Sequence, residues 1–307
     1  MTLALGIDLG GTTLRGGVVD GLEVIEEVRA TPRLGAACAE LDSTSAKQLV
    51  ADALAGFARD VLARHPGIHA IGVGAPGYVS ADGRVLRGAP NLPGVTDAEL
   101  ADALSAATSR PVRLENDALA AAWGEYLLDA QSPDLIYLGL GTGIGGGLVL
   151  GGRPWRGTTG MAMEFGHIIV EPGGRSCGCG NRGCVERYAS ASGLRISYAL
   201  SGGGDLDASE IAARARAGES MALQAFAVAA GMLASACAHL VKITDVRNLV
   251  IGGGLSAAWD QFEPNFPCAL DAQLLAGQRG SIRVRPSTAD DRAGILGAAR
   301  LALDTMS

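Results

Sequence analysis

Residues 3–20 read LALGIDLGGTTLRGGVVD: an apolar run, a glycine-threonine turn and a second apolar run. About 130 residues further on the pattern returns as LIYLGLGTGIGGGLVLGG over 135–152. Short apolar runs bounded by glycine read as buried strands joined by tight turns. Two such units set far apart predict a duplicated α/β core. Between them, 45–64 reads as a helix and IHAIGVGAPG (68–77) as a buried strand ending in a Gly/Pro turn. YVSADGRVL reads as a hairpin about Asp82-Gly83. A helix over 97–108, the strand PVRLEND (111–117) and the helix ALAAAWGEYLL (118–128) follow. The second half holds a long helix over 220–242, the strand NLVIGGG (248–254), and helices over roughly 256–276 and 290–304. No Ser/Pro-rich linker divides the chain. The expected domains, 1–116 with about 293–307 and 117–292, therefore pack closely around a shared cleft.

Composition narrows the function. The chain has 307 residues, 48% of them hydrophobic, which suits a globular protein with a sizeable core. Its formal net charge is −7 and no basic tract interrupts it, so nucleic acid is not an expected partner. The N-terminal MTLALGIDLGG lacks the positive region of a signal peptide. AFAVAAGMLASACA (225–238) is too short to span a bilayer and reads as a buried helix, so no membrane role is expected. A cytoplasmic location follows, and there clustered thiols hold metal more often than they form disulfides.

Such a cluster occurs in SCGCGNRGC (176–184), with His167 of EFGH ten residues before Cys177. Cys177, Cys179, Cys184 and His167 make a Cys₃His set suited to a closed structural zinc site. A redox cluster and inert thiols are the alternatives. Cys38, Cys237 and Cys268 are scattered and read as ordinary small residues. Glu164 and Glu186 bracket the knot, which aims both carboxylates and His167 toward one ligand. Carboxylates and an imidazole suit the hydroxyls of a polyol.

Three glycine turns follow buried strands: DLGGTT (8–13), GTGIGGG (141–147) and GGGLS (252–256). Glycine lets backbone N–H groups approach an anion, and threonine adds hydroxyl donors. Gly10, Gly11, Thr12, Thr13, Gly141, Thr142, Gly143, Gly253 and Gly254 are thus candidates for holding a nucleotide. None of the turns is a P-loop or a dinucleotide fingerprint. Asp8 beside the first turn suits Mg²⁺, or a turn that accepts backbone hydrogen bonds. Asn116-Asp117, where a strand gives way to a helix, fits two readings equally. Asp117 is either a general base toward a hydroxyl or a helix N-cap.

The segments DLGGTT, GAPGYV, PNLPGV, ENDALAAAWGE, GTGIGGG, EFGH, CGCGNRGCVE, VIGGGLS and GILGAARLA run nearly end to end. Through them the chain resembles the bacterial ROK family of sugar kinases and repressors, and its glucokinase branch most closely. The resemblance implies an actin/hexokinase-like fold of two RNase H-like α/β domains with an interdomain cleft. It implies ATP with Mg²⁺ as phosphoryl donor, the 6-hydroxyl of glucose as acceptor, structural Zn²⁺ and a homo-oligomer. Asp117 becomes the base; Asn91, Asn116, Glu164, His167 and Glu186 contact the sugar, and His167 also binds zinc. Where family members usually carry glycine before the EFGH glutamate, this chain has Met163; Val95 and Thr13 also depart from common choices. N-acetylmannosamine, N-acetylglucosamine and allose are alternative substrates. A non-catalytic sugar-responsive regulator is the reading from another class, and it would carry a DNA-binding segment before the first strand.

Overall fold

The computed structural model describes residues 2–129, 131–289 and 292–304. The chain opens with β1 (Leu3–Leu9), β2 (Leu14–Asp20), β3 (Glu23–Ala30), α1 (Leu34–Ala39), α2 (Ser43–Arg64) and β4 (Ile68–Ala75). It continues with β5 (Tyr78–Val79), β6 (Leu86–Gly88), β7 (Thr96–Ala98), α3 (Leu100–Thr108), β8 (Val112–Asn116) and α4 (Asp117–Leu128). Next come β9 (Leu135–Leu140), β10 (Ile144–Leu150), β11 (Arg153–Pro154), α5 (Glu186–Ala189), α6 (Ala191–Leu200) and α7 (Ala208–Arg216). Last are α8 (Ser220–Thr244), β12 (Asn248–Gly252), α9 (Trp259–Phe262), α10 (Phe266–Gln273), β13 (Arg283–Pro286) and α11 (Arg292–Asp304).

One sheet runs β3-β2-β1-β4-β8 and a second runs β11-β10-β9-β12-β13. The order is the same in both, an antiparallel hairpin edge continued by crossover strands. β4 lies parallel to β1 and β8, as β12 lies parallel to β9 and β13. The strand–turn–strand repeat of the sequence is therefore a repeat of topology.

The chain forms two compact units. One comprises Met1–Pro133, Gly147–Ala162 and Asp291–Ser307; the other comprises Asp134–Gly146 and Met163–Asp290. The sequence reading opened its second domain at Asp117, whereas this division keeps α4 and Gly147–Ala162 with the first unit. The cause is packing. A Cβ on Gly124 of α4 would meet the Ala293 carbonyl oxygen of α11, and one on Gly297 of α11 would meet that of Ala120. β1 explains why α11 returns to the N-terminal sheet. Its Leu5, Ile7 and Leu9 enter the large core with α2, while Ala4 on the other face joins Val19, Ile295, Leu296 and Ala299.

Two expectations need correction. Residues 97–108 are not one helix: Thr96–Ala98 pair with Leu86–Gly88 as a third short strand, Asp97 has φ 48°, and α3 starts only at Leu100. Residues 256–276 are broken into a 3₁₀ turn (Gly254–Ala258), α9 and α10. Pro264 follows α9, and Pro267 sits in the first turn of α10, where a missing N–H costs no helical bond. The apolar α8 has a mean hydropathy of 1.7 over its most apolar stretch. It packs against α5, α6, α7, α9 and α10, as a core helix does.

Gly297→Ala should force α4 and α11 apart. Overpacking of this kind costs about 1–3 kcal/mol, so thermal unfolding followed by circular dichroism should show Tm lower by ~5 °C. An unchanged Tm would mean that the helices part freely at this crossing.

Candidate active site and metal centre

In the first unit the candidate groups gather at the carboxyl ends of parallel strands. Asp8, half-buried near the end of β1, pairs in register with Gly74 of β4, and Asn116 closes β8 opposite Ala75. The Gly10–Thr13 turn is closed by the Gly10 N–H donating to the Thr13 carbonyl (3.0 Å). Its outer side is braced by Arg33 N–H on the Thr12 carbonyl (3.1 Å) and Gly35 N–H on that of Gly11 (2.6 Å). Asn91 lies against this turn, since a Cβ on Gly11 would come 2.7 Å from the Asn91 carbonyl oxygen. Three elements distant in sequence thus meet at one glycine.

The β8–α4 turn separates the two readings of Asn116-Asp117. Asn116 is the cap: its Oδ1 accepts from Leu119 N–H (3.0 Å), and its Nδ2 donates to the Gly77 carbonyl of the GAPG turn (2.9 Å). Asp117 is the first helical residue, half-buried, and its Oδ1 accepts from the next N–H at 2.7 Å. The N-cap position therefore belongs to Asn116.

In the second unit the Gly141 N–H donates to the Gly143 carbonyl (2.9 Å). The turn rests on α5 and α6. Ala191 N–H donates to the Gly141 carbonyl (2.9 Å), Ser192 Oγ to that of Thr142 (2.8 Å), and Glu186 Oε2 accepts from Ile144 N–H (3.0 Å). Any side chain at Gly143 would strike the Glu186 carboxylate. A cavity of about 520 Å³ opens beside the turn, lined by Thr142, Ala208, Ala212, Arg216, Gly254 and Leu255. Gly253, with φ 78°, packs against the Leu140 backbone. Arg216 is locked by a two-pronged pair with Asp260 (2.8 and 2.7 Å), which lowers the Asp260 carboxyl to about 2.

The four residues of the Cys₃His set meet, with their donor atoms all within 4.8 Å of one another. His167 Nδ1 is 3.6 Å from Cys177 Sγ, and Cys179 Sγ is 3.7 Å from Cys184 Sγ. A tetrahedral zinc with ordinary bond lengths needs edges of about 3.6 Å for N···S and about 3.8 Å for S···S. The donor set fits. Burial, joined by the neighbouring thiols, pushes the Cys184 thiol up to about 12, so its thiolate needs a cation. His167 turns Nδ1 to the sulfurs and brings Nε2 to 3.9 Å from Glu164 Oε2. That separation is too long for a hydrogen bond, so the two groups interact through charge alone. Glu164 keeps 39% of its side-chain surface, yet burial of the rest holds its carboxyl above the usual range. The His167 ring opposes that rise and the nearby Glu186 carboxylate adds to it.

Arg175 escaped the sequence reading. It stacks 4.3 Å above the Tyr188 ring and donates to the carbonyls of Arg187 (2.7 Å) and Gly193 (3.2 Å) and to Ser197 Oγ (3.0 Å). The cysteine hairpin is thereby pinned to α5 and α6. No local pattern announces it, because its partners lie 12–22 residues away. Met163 has φ 68°, a left-handed conformation that costs a side chain about 1–2 kcal/mol. A glycine at this position would carry no such strain.

The family model of the ROK family matches residues 4–305. The chain belongs to the ROK family. Glucokinase of Streptomyces coelicolor is 32% identical, with 98% of each chain covered. N-acetylmannosamine kinase of Shigella boydii is 33% identical, with 97% of each covered. The crystal structure of a ROK family glucokinase from Streptomyces griseus in complex with glucose and AMPPNP superposes with a TM-score of 0.78. It is 31% identical, and the match covers 98% of this chain and 99% of that one. The protein is a sugar kinase with the hexokinase-like fold of that family.

Elemental analysis of the purified protein should find about one zinc per chain, and Cys179→Ser should lower that figure. Chelation should lower Tm with the loss of metal, since binding a structural ion is coupled to folding. Full thermal stability in the metal-free protein would contradict a structural ion here.

Proposed function

We propose that the protein transfers the γ-phosphoryl group of ATP to the 6-hydroxyl of glucose. The observation that carries this reading is the turn at the end of β8. Asn116 takes over the capping of α4, and Asp117 is left at the carboxyl end of a strand, where α/β folds place reacting groups. Two strands away in the same sheet stands Asp8, about 10 Å off by strand spacing. That gap has room for a hydroxyl and a phosphoryl group between them.

Asp117 accepts the proton of the sugar hydroxyl as its oxygen attacks in line. Asn91, Asn116, Glu164, His167 and Glu186 hold the other hydroxyls, the carboxylates accepting charge-assisted hydrogen bonds. Backbone N–H groups of Gly11–Thr13 and of Thr142 and Gly143 face the phosphates and stabilise charge as it develops. The cavity beside Thr142 and Gly254 receives the adenosine. Asp8 would hold Mg²⁺, which neutralises phosphate charge during transfer. His167, Cys177, Cys179 and Cys184 would hold Zn²⁺ as a closed structural site, and Glu186 follows two residues after the last thiolate. Positioning and electrostatics supply most of the acceleration.

A second reading keeps the mechanism and changes the sugar. The Shigella relative named an N-acetylmannosamine kinase is as similar as the glucokinases. An ADP-release assay with Mg-ATP across glucose, mannose, allose, N-acetylmannosamine and N-acetylglucosamine separates the two. Preference for glucose is expected; preference for an N-acetyl sugar would replace the substrate. In the same assay Asp117→Ala should lower kcat by about 10²–10⁴-fold while sugar KM changes far less. Near-normal turnover would remove Asp117 from its role.

A further inference from the structure

β8 is an edge strand, and an edge leaves alternate N–H groups without a ladder partner. Leu114 and Asn116 are two such positions. The Leu114 N–H donates to the Gly83 carbonyl of the hairpin turn at 2.8 Å. The Asn116 N–H is met by the carboxylate of the residue before it, Glu115 Oε1, at 3.2 Å. Glu115 is 5% exposed, and a carboxylate buried to that degree requires a partner. Its other oxygen, Oε2, accepts from Arg156 Nε at 2.6 Å. Arg113, on the same strand, is close enough to both for its charge to be felt, but it donates to the Asp82 carbonyl at 3.4 Å.

Arg156 is itself held. Trp155 N–H donates to the Leu148 carbonyl (2.7 Å), Ala162 N–H donates to that of Arg156 (3.3 Å), and Gly160 packs against the Val79 carbonyl. A short, uninterrupted path therefore leads from an anchored loop through Arg156 and Glu115 to the backbone of Asn116. Asp117 is the next residue.

We propose that Arg156 is a positioning residue for Asp117. By fixing the Glu115 carboxylate against the Asn116 N–H, it sets the direction in which the β8–α4 turn presents the base. This rests on the reading of Asp117 as base. The reaction depends on that direction more than binding does, because hydroxyl proton and carboxylate must align only as the bond forms.

The test compares Arg156→Gln, the charge-free pair Glu115→Gln/Arg156→Gln, Asp117→Asn, and Asp117→Asn with Arg156→Gln, each by steady-state kinetics and Tm. Arg156→Gln should lose about 10²-fold in kcat, with KM for sugar and ATP within about threefold of the parent. Should Arg156→Gln fail to fold with its orphaned carboxylate, the charge-free pair carries the test. That pair should regain the parental Tm and keep the low kcat. Parental kcat in it would overturn the proposal and leave the ion pair structural only. On the Asp117→Asn background, Arg156→Gln should lower kcat no further. A full additional loss would show that Arg156 acts elsewhere. Unimpaired turnover in Asp117→Asn alone would overturn the base assignment and this role with it.

Discussion

Backbone lying directly on backbone is the constraint on which the rest of this molecule depends. α11 reaches the first sheet only because Gly6 and Gly72 on β1 and β4 carry no Cβ to meet its Ile295 and Ala298 carbonyls. Gly124 and Gly297 let α4 follow. Since α4 begins at Asp117, the glycines that admit the C-terminal helix also fix the helix that starts at the proposed base. The same device recurs where ligands are expected. Asn91 can lie on the first glycine turn, and Glu186 on the second, only because Gly11 and Gly143 are bare. The 45 glycines of this chain are spent largely on proximity.

Rigidity in the second unit has a different source. Residues 163–185 contain no helix longer than the three-residue turn Phe165–His167, yet they carry Glu164 and His167 and lead into Glu186. Such a segment orders only if cross-links replace the missing packing. Two are present. The Cys₃His donors close it from within, and Arg175 ties it from outside to α5 and α6. Those helices in turn hold the Gly141–Gly143 turn through Ala191, Ser192 and Glu186. The Cys₃His cluster, Glu186 and the Gly141–Gly143 turn are thus braced together within that unit. Burial raises the Glu164 carboxyl, and the nearby Glu186 carboxylate adds a smaller push in the same direction. Two carboxylates at this spot suit a ligand that donates hydroxyl hydrogens better than an anion.

The sequence made the repeats, the cysteine knot and the strand-end acid legible, because each is a local pattern with a strong physical cause. Apolar runs around glycine become strands, and three thiols with one imidazole become a cluster. It failed where a competing local signal was overlooked, as with the two prolines that break 256–276 and the short strand that delays α3 to Leu100. It gave no sign of Arg175 or Arg156. Their partners are carbonyls, a ring and a carboxylate supplied by folding from 12 to 41 residues away, and single arginines on an exposed-looking stretch carry no periodicity. The compact units divide the chain differently from the expected boundary at Asp117 for the same reason, since the glycine crossing that joins α4 to α11 links residues about 170 positions apart.

Met163 stands where the resemblance to the ROK family implies a glycine. The backbone there is left-handed, and a side chain is retained despite the strain. Packing offers compensation, for the Met163 side chain reaches over Gly146, which Phe165 also covers. The residue that follows is Glu164, one of the carboxylates proposed to hold the sugar. A methionine in this place leaves every acid and base where it was and changes only the volume beside them. Discrimination between a hexose and its N-acetyl derivative is a difference of that kind, a question of space and of one amide's hydrogen bonds. Relatives of both specificities can therefore carry one mechanism at near-equal identity. On the proposed reading, selectivity rests on the volume beside Glu164, where Met163 stands, more than on the group proposed to move the proton.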